Sequence, residues 1–327
     1  MTGATLEQLA ERLKSARRVA ISAHIHPDGD AIGSVLALAE ALRGLGIQAD
    51  PLLADEEEQV RFNYLPGYGS LTHASEYAAK PDLFVALDTP NPARLGDSRA
   101  VMEAAPYALA LDHHPDLQPY ADLWTCASEA AAVGEVLWDL LGILGWQTSE
   151  TAACCYTALI TDTGRFQYQN TTAHTFAVAS ELVSAGANPS CLSDLVYQNE
   201  SLGTTQLEAR VASRIKLEDG GRIAVSWTCD ADYEELSVNR GETETLPDVL
   251  RRLRGVEYLC LLRQQGTSVR GSMRAKGTGS VRSAATALGG GGHDAAAGFL
   301  IENTTVEDVY RRVVPLLKAC EQVGDLG

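Results

Sequence analysis

Apolar positions follow two periods along the first half of the chain. In residues 18–25 (RVAISAHI), Val19, Ile21, Ala23 and Ile25 recur at every second position, which predicts a strand. In GSVLALAEALRGLG (33–46) the period lengthens: Val35, Leu38, Leu42 and Leu45 fall at helical spacing, and Gly46 offers a stop. DLFVALD (82–88) and YALALD (107–112) are short continuous apolar runs ending in aspartate, as expected of strands buried on both faces of a parallel sheet. AAVGEVLWDLLGILG (131–145) and TAACCYTALITD (151–162) read as amphipathic or buried helices. Strands alternating with helices predict an α/β domain with a doubly wound, mostly parallel sheet, whose ligand crevice lies beyond the carboxyl ends of the strands.

The pattern loosens over 187–212, which reads as a connecting helix and linker. Beyond it come a strand at 222–227 (RIAVSW) and a hairpin-like pair at 256–263 and 268–275 joined by QQGT. A helix-like VRSAATAL (281–288), a glycine run and a C-terminal helix at 305–322 follow. The expected division is a larger domain over 1–186, the linker 187–212, and a smaller α/β domain over 213–327.

Apolar residues make up 45% of the 327, enough for a sizeable core and too many for a disordered chain. The 26 basic residues are outnumbered by 43 acidic ones, giving a net charge of −17. A protein that grips duplex DNA by neutralising phosphates is usually basic, so duplex DNA is not an expected partner. A polyanionic partner must be short, or be met by metal ions or a local basic patch. No apolar run reaches the ~18 residues of a membrane span, and the polar start MTGATLEQLAERLKSARR lacks a signal-peptide core. The seven cysteines form no C-x-x-C pair, and an odd, scattered set argues against a disulfide framework. The expectation is a cytoplasmic protein without membrane contact.

Hard ligands concentrate at the ends of predicted elements: His24-x-x-x-Asp28-x-Asp30, Asp88, Asp112-His113-His114 and Asp162. One aspartate after a strand is ordinarily a helix N-cap. Three strand-like runs ending in Asp or His, with a further Asp closing a helix, are not explained that way. Carboxylate oxygen with imidazole nitrogen suits Mn²⁺, Mg²⁺, Zn²⁺ or Fe²⁺, and the lack of thiolate argues against structural zinc. Carboxylates crowded into one crevice repel unless cations neutralise them, and a pair of divalent ions ~3.5–4 Å apart is a common solution at phosphorus-cleaving sites.

HIHPDGDAIGS (24–34), LDTP (87–90), LDHH (111–114) and TDTGRF (161–166) occur in the order of the four motifs of the DHH phosphoesterase superfamily, which the chain resembles. GGGGHDAAAGF (289–299) resembles the glycine-rich signature of the DHHA1 domain. The resemblance covers nearly the whole chain and is strongest to the stand-alone NrnA-type enzymes. These hydrolyse very short oligoribonucleotides and 3′-phosphoadenosine 5′-phosphate (pAp).

The resemblance implies two divalent ions, Mn²⁺ foremost with Mg²⁺ or another divalent ion as substitutes. His24, Asp28 and Asp88 would hold one; Asp30, Asp88, His113 and Asp162 the other, with Asp88 bridging. His114 would meet the scissile phosphate, and Asp112 would orient the histidine pair. It also implies a site in a cleft between the two domains and leaves room for a homodimer. In the second domain Arg274, within SMRAKG (272–277), would grip a terminal phosphate. Gly290, Gly291, Gly292 and His293 would form a backbone anion nest with an added imidazole donor. Ala275 stands where relatives often carry serine, which removes one phosphate contact. Arg263, Arg270, Lys276 and Arg282 add a basic stretch that suits a phosphate-bearing ligand, and an aromatic at Phe166 or Tyr168 could stack on a base. His26, His73, His174, Asp116, Asp122 and Glu129 fit no motif and are expected to be solvated or structural. Two alternatives remain open: a phosphodiesterase acting on cyclic dinucleotides or pApA, and a catalytically silent nucleotide sensor. RecJ-type exonucleases usually carry extra domains, and family II pyrophosphatases lack the GGGH signature.

Overall fold

The computed structural model describes residues 3–56, 60–243 and 245–320. The chain divides into two compact units, Met1–Asn199 and Glu200–Gly327. Among the described residues no helix is long and apolar enough to cross a membrane.

In the first unit the strands are β1 (Arg18–Ser22), β2 (Gln48–Leu53), β3 (Thr72–His73), β4 (Leu83–Leu87), β5 (Ala108–Asp112) and β6 (Leu123–Cys126). They form one sheet in the order β3-β2-β1-β4-β5-β6, with every neighbouring pair parallel. The helices are α1 (Leu6–Ser15), α2 (Gly29–Gly44), α3 (Ser98–Ala104), α4 (Val133–Leu144), α5 (Ser149–Asp162), α6 (Ala173–Ser184) and α7 (Pro189–Tyr197). Strands β4 and β5 are buried at every residue, which their unbroken apolar runs require. On β1, Val19 and Ile21 pack into the large core shared with α1, α2, α4 and α5, while Ala20 packs on the opposite face near Val101 of α3. The expected doubly wound parallel sheet is therefore present.

Boundaries differ from the sequence reading in instructive ways. β1 ends at Ser22 rather than at residue 25, and α2 begins a turn early because Asp28 caps it. Gly46, with φ of +81°, follows the C-cap Leu45 as the left-handed residue that ends the helix. Gly29 is ordinary helix; it lacks a side chain because a Cβ there would lie 2.5 Å from the Thr161 side chain. A Cβ on Gly33 would lie 2.5 Å from the Cys154 carbonyl oxygen, so α2 and α5 pack at close backbone range.

The second unit holds α8 (Leu202–Ser213), β7 (Lys216–Glu218), β8 (Ile223–Thr228), α9 (Asp230–Leu236), α10 (Pro247–Arg251), β9 (Tyr258–Gln265), β10 (Ser268–Ala275), α11 (Arg282–Thr286), β11 (Gly291–Gly292), β12 (Ala296–Ile301) and α12 (Val306–Lys318). Its sheet runs β11-β12-β10-β9-β8-β7, antiparallel except for the β8–β9 pair. The predicted hairpin is β9–β10, turning at Gly266 with φ of +58°. The segment 187–212 contains helices α7 and α8, and the last two residues expected in the C-terminal helix, 321–322, lie outside the described residues.

Candidate metal centre

In a sheet ordered 3-2-1-4-5-6 the chain leaves β1 in one direction and β4 in the other, opening a crevice at their carboxyl ends. His24 lies two residues past β1, Asp88 directly follows β4, and Asp112 ends β5 with His113 and His114 next. Asp28 and Asp30 sit at the start of α2, and Asp162 is the last residue of α5. The fold thus brings all eight of these residues to one place.

Both outer histidines are pinned the same way. His24 Nδ1 bonds the Ile25 carbonyl oxygen at 2.8 Å, and His113 Nδ1 bonds that of Ala130 at 3.1 Å. A carbonyl can only accept, so each ring carries its proton on Nδ1 and turns the Nε2 lone pair toward the carboxylates. His24 Nε2 lies 3.3 Å from Asp88 Oδ2 and 3.9 Å from Asp28 Oδ2. His113 Nε2 lies 3.6 Å from Asp88 Oδ1, 3.6 Å from Asp162 Oδ2 and 3.8 Å from Asp30 Oδ2. Candidate ligand atoms of His24, Asp28 and Asp88 fall within 4.8 Å of one another, as do those of Asp30, His113 and Asp162. Asp88 stands between the two groups.

The carboxylates divide their oxygens between the fold and the crevice. Asp28 caps α2 with Oδ1, which accepts from the Asp30 and Ala31 amides, and keeps Oδ2 for the crevice. Asp30 accepts from Ser34 Oγ and from the Val133 and Gly134 amides at the start of α4. Asp112 Oδ1 receives both the His113 and His114 amides and the His114 ring at 2.7 Å. Asp88 is held at φ of +51°, a left-handed conformation that Asp tolerates better than most residues.

Asp88 is 2% exposed, and its Oδ1 has no hydrogen-bond partner among the described residues. Burial, and then the charges of Asp30, Asp28, Asp112 and Asp162, push its pKa well above the ordinary carboxylate value. Burial raises Asp30 too. Burial opposes ionisation of Asp112, but the His114 ring bond, the charge of His114, its amide and the charge of His113 together prevail and hold the group below its usual value. Burial, then repulsion from Arg94, pushes His24 down to about 3, so its Nε2 stays free of a proton. A buried carboxylate oxygen with no partner, surrounded by like charges and imidazole, fits a divalent cation with oxygen and nitrogen ligands; burial lowers the His113 pKa, but the charges of Asp162 and Asp30 prevail and raise it.

The residues expected to stand aside do so. His26 is half-exposed, with its amide on Asp55; His73 Nδ1 bonds the Asp55 carbonyl oxygen; His174 is mostly exposed beside Glu135. Asp122 accepts the Ala108 amide, and Asp116 and Glu129 are exposed. Phe166 is a packing residue, stacked on Phe176 and tilted against Tyr156, and Arg165 lies over the Tyr197 ring.

In the second unit Arg270, Ser272 and Arg274 share the half-buried face of β10, and Arg274 Nη1 donates to the Met273 carbonyl oxygen. Arg263 and Lys276 are not solvent cations: Arg263 is buried and donates to Ser272 Oγ and the Thr243 carbonyl oxygen, and Lys276 donates to that of Leu253. The glycine run also differs from expectation. The Gly290 amide donates to Ala285 and the His293 amide to Ala296, so neither is left for an anion nest. Gly291 and Gly292 pair with β12, and a Cβ on Gly290 would lie 2.0 Å from the Gly298 carbonyl oxygen. Close packing accounts for Gly290, and Gly292 takes a φ of +133° that side-chain-bearing residues rarely adopt.

Two residues at the centre escaped the sequence reading. Glu135, 2% exposed, accepts from the Ala131 amide and Thr175 Oγ1; an acid inside the apolar run 131–145, which holds only Asp139 besides, was its signal. Asn170 Nδ2 donates to the carbonyl oxygens of Ala131 and Asp162. Its only cue was proximity to the TDTGRF motif.

Residues 18–159 match the DHH family, N-terminal domain, and residues 220–322 match the DHHA1 domain. The chain is 30% identical over 313 residues to the bifunctional oligoribonuclease and PAP phosphatase NrnA of Thermus thermophilus, covering 95% of this chain and 92% of that protein. It resembles the crystal structure of an exopolyphosphatase-related protein from Bacteroides fragilis, with a TM-score of 0.86 at 22% identity over 96% of this chain and 95% of the other. RecJ of Thermus thermophilus in complex with Mn²⁺ shares the fold with a TM-score of 0.53 at 16% identity, covering 97% of this chain and 55% of RecJ.

Proposed function

Because the chain belongs to the DHH/DHHA1 phosphoesterase family, we propose that it hydrolyses very short oligoribonucleotides to mononucleotides and pAp to AMP, using two divalent ions, Mn²⁺ foremost. One observation carries the reading: His24, Asp28 and Asp88, and Asp30, His113 and Asp162, gather at the switch point of the sheet with Asp88 within reach of both histidines. Ions bound there supply charge stabilisation for a phosphoryl group and lower the pKa of water from ~15.7 toward ~7.

The chain's own residues do the rest. His24, Asp28 and Asp88 would hold one ion; Asp30, His113 and Asp162 would hold the other, with Asp88 within reach of both. Asp112 fixes the His114 ring through Nδ1, so that Nε2 is the atom that meets the scissile phosphate. The N-terminus of α2, just past Asp28, adds positive potential. In the second unit Arg274 takes the terminal phosphate and His293 adds a donor, while Gly290, Gly291 and Gly292 shape the backbone beside them. The net charge of −17 supports short substrates over duplex DNA, because the ions and Arg274 supply positive charge only locally. The reading places the enzyme in the cytoplasm and leaves room for a homodimer, which light scattering decides.

Parallel assays with Mn²⁺ on pAp, a diribonucleotide and cyclic di-AMP test the proposal. AMP released from pAp and mononucleotides from the diribonucleotide, ahead of any cleavage of cyclic di-AMP, are expected. Preference for cyclic di-AMP would replace the substrate class, and tight binding without turnover of any would make the protein a sensor.

A further inference from the structure

We propose that Asn170 is a positioning residue for one of the two ion positions, the one formed by Asp30, His113 and Asp162; the assignment rests on the metal reading above. Asn170 lies eight residues beyond Asp162, in the loop that leads to α6. Its Nδ2 donates to the Ala131 carbonyl oxygen at 2.9 Å and to the Asp162 carbonyl oxygen at 3.0 Å. Both partners are acceptors, so only the NH₂ group can face them, and it uses one proton on each.

Ala131 belongs to a short stretch that meets the other two ligands. The Ala130 carbonyl oxygen receives His113 Nδ1, and the Val133 and Gly134 amides donate to the two oxygens of Asp30. The stretch 130–134 therefore sets the ring of His113 and the carboxylate of Asp30. Asn170 ties that stretch to the backbone of Asp162, so one side-chain amide refers all three ligands to a common frame. The other position is built without it. His24 is set by the Ile25 carbonyl oxygen, Asp28 by the α2 amides, and the Asp88 backbone by the Leu111 carbonyl oxygen.

The asymmetry gives the test. Outer partners of metal ligands are typically worth ~10–100-fold in metal affinity. Metal-free full-length protein is titrated with Mn²⁺ by calorimetry, as wild type, Asn170→Ala and Asn170→Asp, the last keeping the shape but lacking the donor. Two ions are expected on the wild type. In both variants one ion should weaken ~10-fold or more while the other keeps its affinity, with thermal unfolding of the metal-free protein close to wild type. In an Asp28→Ala background the remaining ion should still respond to Asn170→Ala; in an Asp162→Ala background it should not. Equal weakening of both ions, or a wild-type profile in Asn170→Asp, overturns the assignment and leaves the metal reading standing. Fewer than two ions on the wild type overturns the metal reading and the role of Asn170 with it.

Discussion

Replacing Gly33 by alanine sets two effects of opposite sign against each other. In an unconstrained helix the change stabilises, because glycine is ~0.8–1.0 kcal/mol worse than alanine in a helix interior. At this position the new Cβ would stand 2.5 Å from the Cys154 carbonyl oxygen and 3.3 Å from Ala158 Cβ. The first contact is about 0.9 Å short of ordinary van der Waals separation, and the obstacle is α5 backbone that no rotamer can move. Overpacking of this kind costs ~1–3 kcal/mol, so a net loss of about 0–2 kcal/mol remains after the helix gain, against the gain of the control below. Relief means moving α2 away from α5. Asp28 and Asp30 ride on α2 and Asp162 on α5, so the ion positions open as well. A misplacement near 1 Å can cost ~100-fold in rate. Urea unfolding followed by tryptophan fluorescence suits the measurement, since Trp124, Trp138 and Trp146 all lie in the first unit. Calorimetry with Mn²⁺ reads the site. Gly142→Ala in α4 is the control: its Cβ meets only the end of the Gln147 side chain, at 3.2 Å, and a gain of ~0.5–1 kcal/mol is expected. A Gly33→Ala protein that is as stable as the control, with unaltered Mn²⁺ affinity, would refute the close-packing argument.

Asp88→Asn should abolish binding of both ions and nearly all hydrolysis of pAp, while the metal-free protein stays as stable as wild type or gains, because a repelling buried charge is gone; scanning calorimetry with and without Mn²⁺ checks this. Arg274→Ala should raise KM for pAp and leave Mn²⁺ binding unchanged; an unaltered KM would remove Arg274 from the phosphate site. Asp232→Ala should destabilise the second unit by about 1–3 kcal/mol at neutral pH: Arg210 and Arg214 both lose bonds to that buried carboxylate, while Arg210 keeps Glu235 and Arg214 keeps the Trp227 carbonyl oxygen. The Asp232 pKa is lowered on folding: burial opposes this, but the bonds from Arg214, the Cys229 amide and Arg210 prevail. Its contribution is therefore complete above the unfolded carboxylate pKa near 4 and is lost as pH falls below that. Acid titration of unfolding should show a steeper loss in wild type than in Asp232→Ala.

The candidate metal centre was legible because its residues break the rules of their surroundings. Asp88 and Asp112 close runs that are otherwise wholly apolar, and His24 follows a strand at the same end of the sheet. The doubly wound fold was equally legible from β4 and β5, whose burial on both faces leaves no polar alternation. What stayed hidden depends on partners far along the chain. β2 carries Pro51 mid-strand, opposite Ile21 of β1, which weakens its strand signal. β12 begins in a run of alanines and glycine and gives no alternation to read. Arg263 and Lys276 have the sequence character of surface cations, yet distant backbone carbonyls take their protons. The glycine run ahead of His293 suggested an anion nest; at Gly290 the reason for glycine is what lies against it. A periodic pattern tells which face a residue occupies, not what covers it.

The candidate ligands are spread from His24 to Asp162, across five of the six strands' worth of chain between them and through to the end of α5. During synthesis the first of them emerges long before the last, and until α5 has docked no more than part of the constellation exists. A nascent or proteolytically shortened chain therefore offers cations only loose, mismatched carboxylates. On the proposed reading, metallation would be a late event in maturation, and ion capture would certify that the whole of this unit has reached its native arrangement.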